Sequence, residues 1–197
     1  MTTIAIILGS TRPGRRGEVV AKWILEIARR RTDAEFELVD LADFPLPHLD
    51  EPGAAAFGVY ENEHTKAWSA KISEFDGFVF VTPEYNHSTS GVLKNALDFL
   101  FAEWNDKAAA FVSYGGVAGG ARAVEHLRLI ASELQLATVR AQVAISILTE
   151  FEDYTRFAPH DYLLPQVDLM LDQLLAWSTA LRGLRTARTE GSEDVAA

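Results

Sequence analysis

Short strand-like runs, some of them unbroken apolar, alternate with segments whose apolar residues recur at helical spacing, and this alternation repeats about five times along the chain. The runs are Ile4 to Leu8, Glu35 to Leu41, Gly77 to Val81, Ala108 to Tyr114, and the less sharply bounded "TVRAQVAISI". A run that is apolar on both faces suits a strand covered from both sides. Between the runs, Val20, Trp23, Ile24 and Ile27 share one helical face of the segment 17–31. Further helices are expected near 65–74, over "VLKNALDFLF" with Leu93, Leu97 and Leu100 inward, over 121–134, and over 162–181. Strand–helix alternation of this kind defines an α/β protein with a doubly wound parallel sheet and helices on both faces. Ligands bind such sheets outside the carboxyl ends of the strands.

A chain of 197 residues, 48% hydrophobic, can bury one real core; two domains would each be small. A single domain over residues 1–185 is expected. The stretch 186–197, ending "TEGSEDVAA", reads as an acidic, disordered tail. The formal net charge is -10, which argues against a nucleic-acid partner. Cys is absent, so disulfides and thiolate chemistry are excluded. The five His are scattered, without the i, i+4 pair of a helical zinc site, and no metal centre is expected. The start lacks a basic region and a long apolar stretch, and no run reaches membrane-spanning length. No membrane partner and a cytoplasmic location are therefore expected.

The informative stretches follow the first, third and fourth strands, so all three fall on one edge of the sheet. The first is "GSTRPGRRG", Gly9 to Gly17. A strand, a glycine bend and a helix start gather unpaired N–H groups and the positive end of a helix dipole. Ser10 and Thr11 add hydroxyls; Arg12, Arg15 and Arg16 add charge. The loop misses G-x-G-x-x-G. It meets the Walker pattern only at Gly9 and Gly14, with Arg15 and Arg16 where Lys and a metal-binding hydroxyl belong. A single terminal phosphate without metal suits it better than a triphosphate. A tight turn with exposed arginines is the alternative.

The second stretch is "PEYN", Pro83 to Asn86. Glu84 stands just past an apolar strand, as a base or as a solvated carboxylate. Pro83 and Tyr85 stiffen a loop that can offer backbone groups to a planar ring; an ordinary capped loop fits as well. In the third, "SYGGVAGG" from Ser113, Gly115 and Gly116 allow close approach of a ligand, or else serve sheet geometry alone. Together the three loops suggest a pocket with a phosphate end and a flat-ring end. Trp23, Trp68, Trp104 and Trp177 read as core or interface anchors, His87 as a surface residue, and Lys94 with Asp98 as a surface pair. G-x-S-x-G is missing, and no Ser-His-Asp set supports a hydrolase.

"GSTRPGR", "TPEYNHSTSGVLKNALDFL" and "SYGGVAGGARA", in this order over roughly residues 2–145, resemble the NADPH-dependent FMN reductase family. The resemblance implies a flavodoxin-like five-stranded sheet in the order 2-1-3-4-5, one FMN per subunit, and NADPH as donor with NADH possible. It implies that Ser10, Thr11, Arg12, Arg15, Arg16 and Gly17 hold the FMN phosphate. Pro83, Glu84, Tyr85 and Asn86 would line the ring, and Ser113, Tyr114, Gly115 and Gly116 would close its other side. Many members carry a small hydroxyl residue or Asn where this chain has Arg15 and Gly17. Homodimers or homotetramers through the helix at 91–101 are implied too. So is ping-pong hydride transfer through the flavin to a small-molecule electron acceptor, with no side chain named as catalytic. An electron carrier of flavodoxin type, docking through its acidity on a basic redox partner, is the rival reading. A nucleotide-phosphate module without redox chemistry is a third.

Overall fold

The computed structural model describes the backbone of residues 1–193 and side chains up to residue 187. The strands are β1 (Thr2–Leu8), β2 (Ala34–Asp40), β3 (Gly77–Pro83), β4 (Lys107–Gly115) and β5 (Leu136–Ser146). All pair in parallel, in the order β2-β1-β3-β4-β5. The expected doubly wound sheet is the one observed.

The unbroken apolar runs follow from what covers each face. On β1, Ile4, Ile6 and Leu8 join a core with Val20 and Ile24 of α1 (Gly17–Ala28). Ala5 and Ile7 point the other way, into a core with α2 (Glu63–Ser73), α3 (Gly91–Asp98) and α4 (Ala121–Glu133). Ile4 to Leu8 are fully buried, and a buried Ile or Leu contributes roughly 1.5–3 kcal/mol. Trp68 and Trp104 anchor the second core, 6.2 Å apart at their ring centres. Their indole N–H groups donate to the carbonyls of Ala96 (2.9 Å) and Leu97 (3.2 Å), so neither polar tip is left unpaired. Trp23 packs edge-on against Phe157, whereas Trp177 stands exposed on the last helix.

That last helix, α6 (Leu164–Glu193), is longer than the expected 162–181. Its early turns bury Val167, Met170, Leu171 and Leu174 in the first core, which the apolar spacing foretells. Its later turns are held by charge instead. Asp76, before β3, accepts from Arg182 (2.6 Å), pairs with Arg185, and accepts the Thr3 N–H (3.1 Å). Helix therefore occupies 186–193, where a disordered tail is expected from composition; residues 194–197 lie outside the described residues.

A short helix, α5 (Ile147–Glu150), and a two-stranded hairpin of β6 (Phe151–Glu152) and β7 (Arg156–Phe157) follow β5. The sequence pattern gave no element for 151–161.

The strand order brings the ends of β1, β3 and β4 side by side, and so unites the three loops. The third loop turns through Gly120, which has φ +84° and lies where a Cβ would stand 2.8 Å from Ser113 Cβ and 2.9 Å from the Tyr114 nitrogen. Only glycine meets both demands. Gly120→Ala should destabilise the protein by about 2–4 kcal/mol, summing backbone strain and overpacking. Urea unfolding checks this; an unchanged midpoint would contradict the packing described.

Candidate functional site

The three loops enclose a cavity of about 280 Å³ at the carboxyl edge of the sheet. Arg12, Pro13, Gly14, Arg15 and Arg16 line it from the first loop, Pro83, Glu84 and Tyr85 from the second, Tyr114, Gly115 and Gly116 from the third, and Ile147 from α5.

The first loop is pinned at its start, where the Gly9 N–H donates to the Val81 carbonyl (2.8 Å). Ser90, the N-cap of α3, donates its hydroxyl to the Gly9 carbonyl and accepts the Leu93 N–H. Ser10 is buried, its hydroxyl 3.1 Å from that of Tyr85. Thr11 is exposed and turns away from the cavity toward a groove of about 360 Å³ beside α3.

The arginines part company. Arg15 forms a two-pronged ion pair with Asp40 at the end of β2 and donates to the Ser10 carbonyl. Arg16 donates through Nε to the Tyr154 carbonyl (2.7 Å) and lies 6.0 Å from the Phe151 ring centre. Arg12 is exposed, and no hydrogen bond or ion pair engages its guanidinium among the described residues. Arg16 is also the N-cap of α1, which no side chain caps. The first N–H groups of that helix thus lack the partner that Ser, Thr, Asp or Asn would supply.

In the second loop, Tyr85 and Ser88 exchange backbone hydrogen bonds (2.9 and 3.1 Å). Asn86 and His87, at φ +49° and +72°, form the exposed corner of that turn, so the Asn86 side chain is not among the cavity's walls. The Glu84 N–H donates to the Tyr114 carbonyl (3.0 Å). Its carboxylate is neither solvated nor free: one oxygen accepts from Arg122 Nε of α4 (2.6 Å), while Oε2 is buried without a partner. His126, a turn further on, meets the Ser88 hydroxyl at 2.8 Å. The first turns of α4 thereby fasten the second loop, a role the sequence did not announce.

In the third loop the Ser113 hydroxyl donates to the Gly119 carbonyl (2.8 Å) and is fully buried. Its side chain therefore braces its own loop. The Tyr114 hydroxyl is buried without a hydrogen-bond partner, and burial next to Tyr85 pushes its pKa up.

Glu150, which sequence reasoning missed, organises the segment behind Ile147. It is fully buried, yet it accepts from the His160 N–H (2.9 Å), the Tyr162 hydroxyl (2.7 Å), the Thr149 hydroxyl (2.8 Å) and the His160 ring (3.1 Å). Burial alone would raise its pKa, but these donors together hold it at about 2.

An uncapped helix start, an unengaged Arg12, and a buried hydroxyl without a partner are what an anionic phosphate needs. The cavity's residues fit a flavin mononucleotide on those observations. Sheet order and loop placement define a flavodoxin-like protein. Solved structures agree on the fold: FerB of Paracoccus denitrificans, a flavoenzyme NAD(P)H:(acceptor) oxidoreductase, superposes with TM-score 0.68 at 23% identity, over 88% of this chain and 97% of its own. An apo NADH:FMN oxidoreductase gives the same TM-score and identity over 89% of each chain.

Residues 2–150 match the model of the NADPH-dependent FMN reductase family, and the chain belongs to that family. An NAD(P)H-dependent FMN reductase of Schizosaccharomyces pombe is 45% identical over 73% of this chain and 72% of its own. An NAD(P)H:quinone oxidoreductase of Solanum tuberosum is 40% identical over 68% and 69%. The protein is accordingly an NAD(P)H-dependent flavin oxidoreductase that uses FMN. No helix among the described residues is long and apolar enough to cross a membrane.

Because the folded pKa of Glu150 lies below its ordinary 4.5, its stabilisation is complete above that pH and is lost as pH falls toward 2. Glu150→Gln should cost up to about 3 kcal/mol at pH 7, with the gap to wild type closing below pH 4.5. Urea midpoints of both proteins from pH 7 to 3 measure it; a pH-independent gap would contradict the assignment.

Proposed function

We propose that this reductase works in the cytoplasm by a ping-pong sequence, with NADPH preferred, NADH usable, and a free flavin, quinone or related small molecule as electron acceptor. The observation that carries the reading is the convergence of all three loops, and of the uncapped start of α1, on one cavity. FMN, when bound, supplies reversible two-electron chemistry. The chain's part is to bind, orient and shield. Arg12 and the N–H groups of Arg16 and Gly17 meet the phosphate, while the Arg15 N–H closes the turn onto the Arg12 carbonyl (3.1 Å). Ser10 and Thr11 shape that loop, while the Arg15 and Arg16 side chains brace it through Asp40 and Tyr154. Pro83, Glu84, Tyr85 and Asn86 run along one side of the ring, and Ser113, Tyr114, Gly115 and Gly116 along the other, chiefly through backbone groups. Donor and acceptor need the same open face, which favours their taking turns.

The subunits assemble as a homodimer or homotetramer through α3. Leu93, Ala96 and Leu97 of α3 are buried in the chain's own core, so the face left for a partner is Gly91, exposed Val92 and the Lys94–Asp98 pair. A groove of about 610 Å³ runs beside it.

NADPH oxidation measured against a panel of acceptors, at several fixed acceptor concentrations, tests the sequence. Parallel double-reciprocal lines are expected. Intersecting lines would overturn the ping-pong order, and no oxidation by FMN-loaded protein with any acceptor would overturn the acceptor class.

A further inference from the structure

We infer that the Tyr114 hydroxyl is a phosphate ligand and sets the preference of this site for a phosphorylated flavin over riboflavin. This rests on the FMN reading above and assigns a side chain that the reading leaves to the backbone. Tyr114 lies near the end of β4, paired across the sheet with Pro83 and Ile145, and its ring is part of the core beneath α1. The residue is 4% exposed, and its hydroxyl has no hydrogen-bond partner. A buried polar group is nearly always paired, so one left unpaired at a cavity wall calls for a ligand.

Its position says which ligand. A Cβ added to Gly17, the first residue of α1, would lie 2.5 Å from the Tyr114 hydroxyl oxygen. The absence of a side chain there lets the phenol reach the start of the helix. At that point the N–H groups of α1 are uncapped and the helix dipole is positive. Arg12 enters the same cavity unengaged. Ser10, beside them, is occupied by Tyr85, and Asp40, the nearby carboxylate, by Arg15. What remains is a set of donors: N–H groups, a guanidinium and a phenol. Burial keeps the phenol protonated, hence a donor, throughout the working range of pH. A terminal phosphate offers only acceptors and carries the matching charge. The free hydroxyl of riboflavin brings neither the charge nor the oxygens.

Tyr114→Phe separates this role from packing. It removes an oxygen whose polar neighbours are the Ser10 hydroxyl and the Gly17 N–H, and it leaves the ring in place. Titration of flavin-free protein with FMN and with riboflavin, followed by flavin fluorescence, should show FMN bound about tenfold more weakly and riboflavin unchanged. Thermal stability should change little. The ³¹P resonance of bound FMN should move in the variant. In wild type, inorganic phosphate should compete with FMN and not with riboflavin, an arm that needs no variant to fold. Equal loss of both flavins, or no loss of FMN affinity, would overturn the inference while leaving the FMN site intact. A wild-type protein that binds neither flavin would overturn the FMN reading itself, and this inference with it.

Discussion

Both faces of the sheet are covered, and the rest of the structure depends on that burial. Ile4 to Leu8 contact helices above and below, so the central strand β1 offers no polar group from its middle. Chemistry is confined to the strand ends. Parallel pairing then puts every carboxyl end on one edge, and the order β2-β1-β3-β4-β5 sets the first, third and fourth strands together. The loops are short at this edge because each enters a helix almost at once, and those helices make the sheet's cover. Gly17 belongs to both functions: it opens α1, which packs on β1, and it makes room for the phenol of Tyr114.

Much of this was legible from residue order. The central strands β1, β3 and β4 announced themselves as apolar runs because strands covered on both faces admit little else. The cavity was legible as three glycine- and proline-marked stretches at strand ends, and every loop sends residues to it. Individual side chains were not legible, because their partners come from elsewhere in the sheet. Arg15 reads as a phosphate ligand until β2 is laid beside β1, where Leu8 and Asp40 fall in register and the carboxylate meets the guanidinium. The strand order alone contains that signal. Ser113 reads as closing one side of the ring until the turn of its own loop returns the Gly119 carbonyl to its hydroxyl. Glu150 offers no periodic signal at all, since its donors at 149, 160 and 162 gather only once the hairpin has folded back. The extension of α6 is likewise tertiary, fixed by Asp76 holding Arg182 and Arg185.

These pairings change the electrostatic meaning of the arginine-rich loop. Three cations beside an acidic protein suggest attraction by net charge. Within the structure Arg15 is neutralised by Asp40, and Arg16 faces a carbonyl and an aromatic ring. Arg12 is the cation of that loop left to meet an anion. On the inference drawn above, selectivity falls on fixed dipoles, the N–H groups of α1 and the phenol, which need no reorientation when the ligand arrives. A flexible guanidinium loses rotamer freedom on binding and is screened by salt; buried dipoles are affected far less. The opposite wall carries an acceptor rather than a donor: the Glu84 carboxylate is paired with Arg122 through one oxygen, and its Oε2 is buried without a hydrogen-bond partner. The cavity is therefore polarised, with donors at the start of α1 and an acceptor at Glu84. That polarity suits a ligand with one anionic end and a hydrogen-bond donor elsewhere.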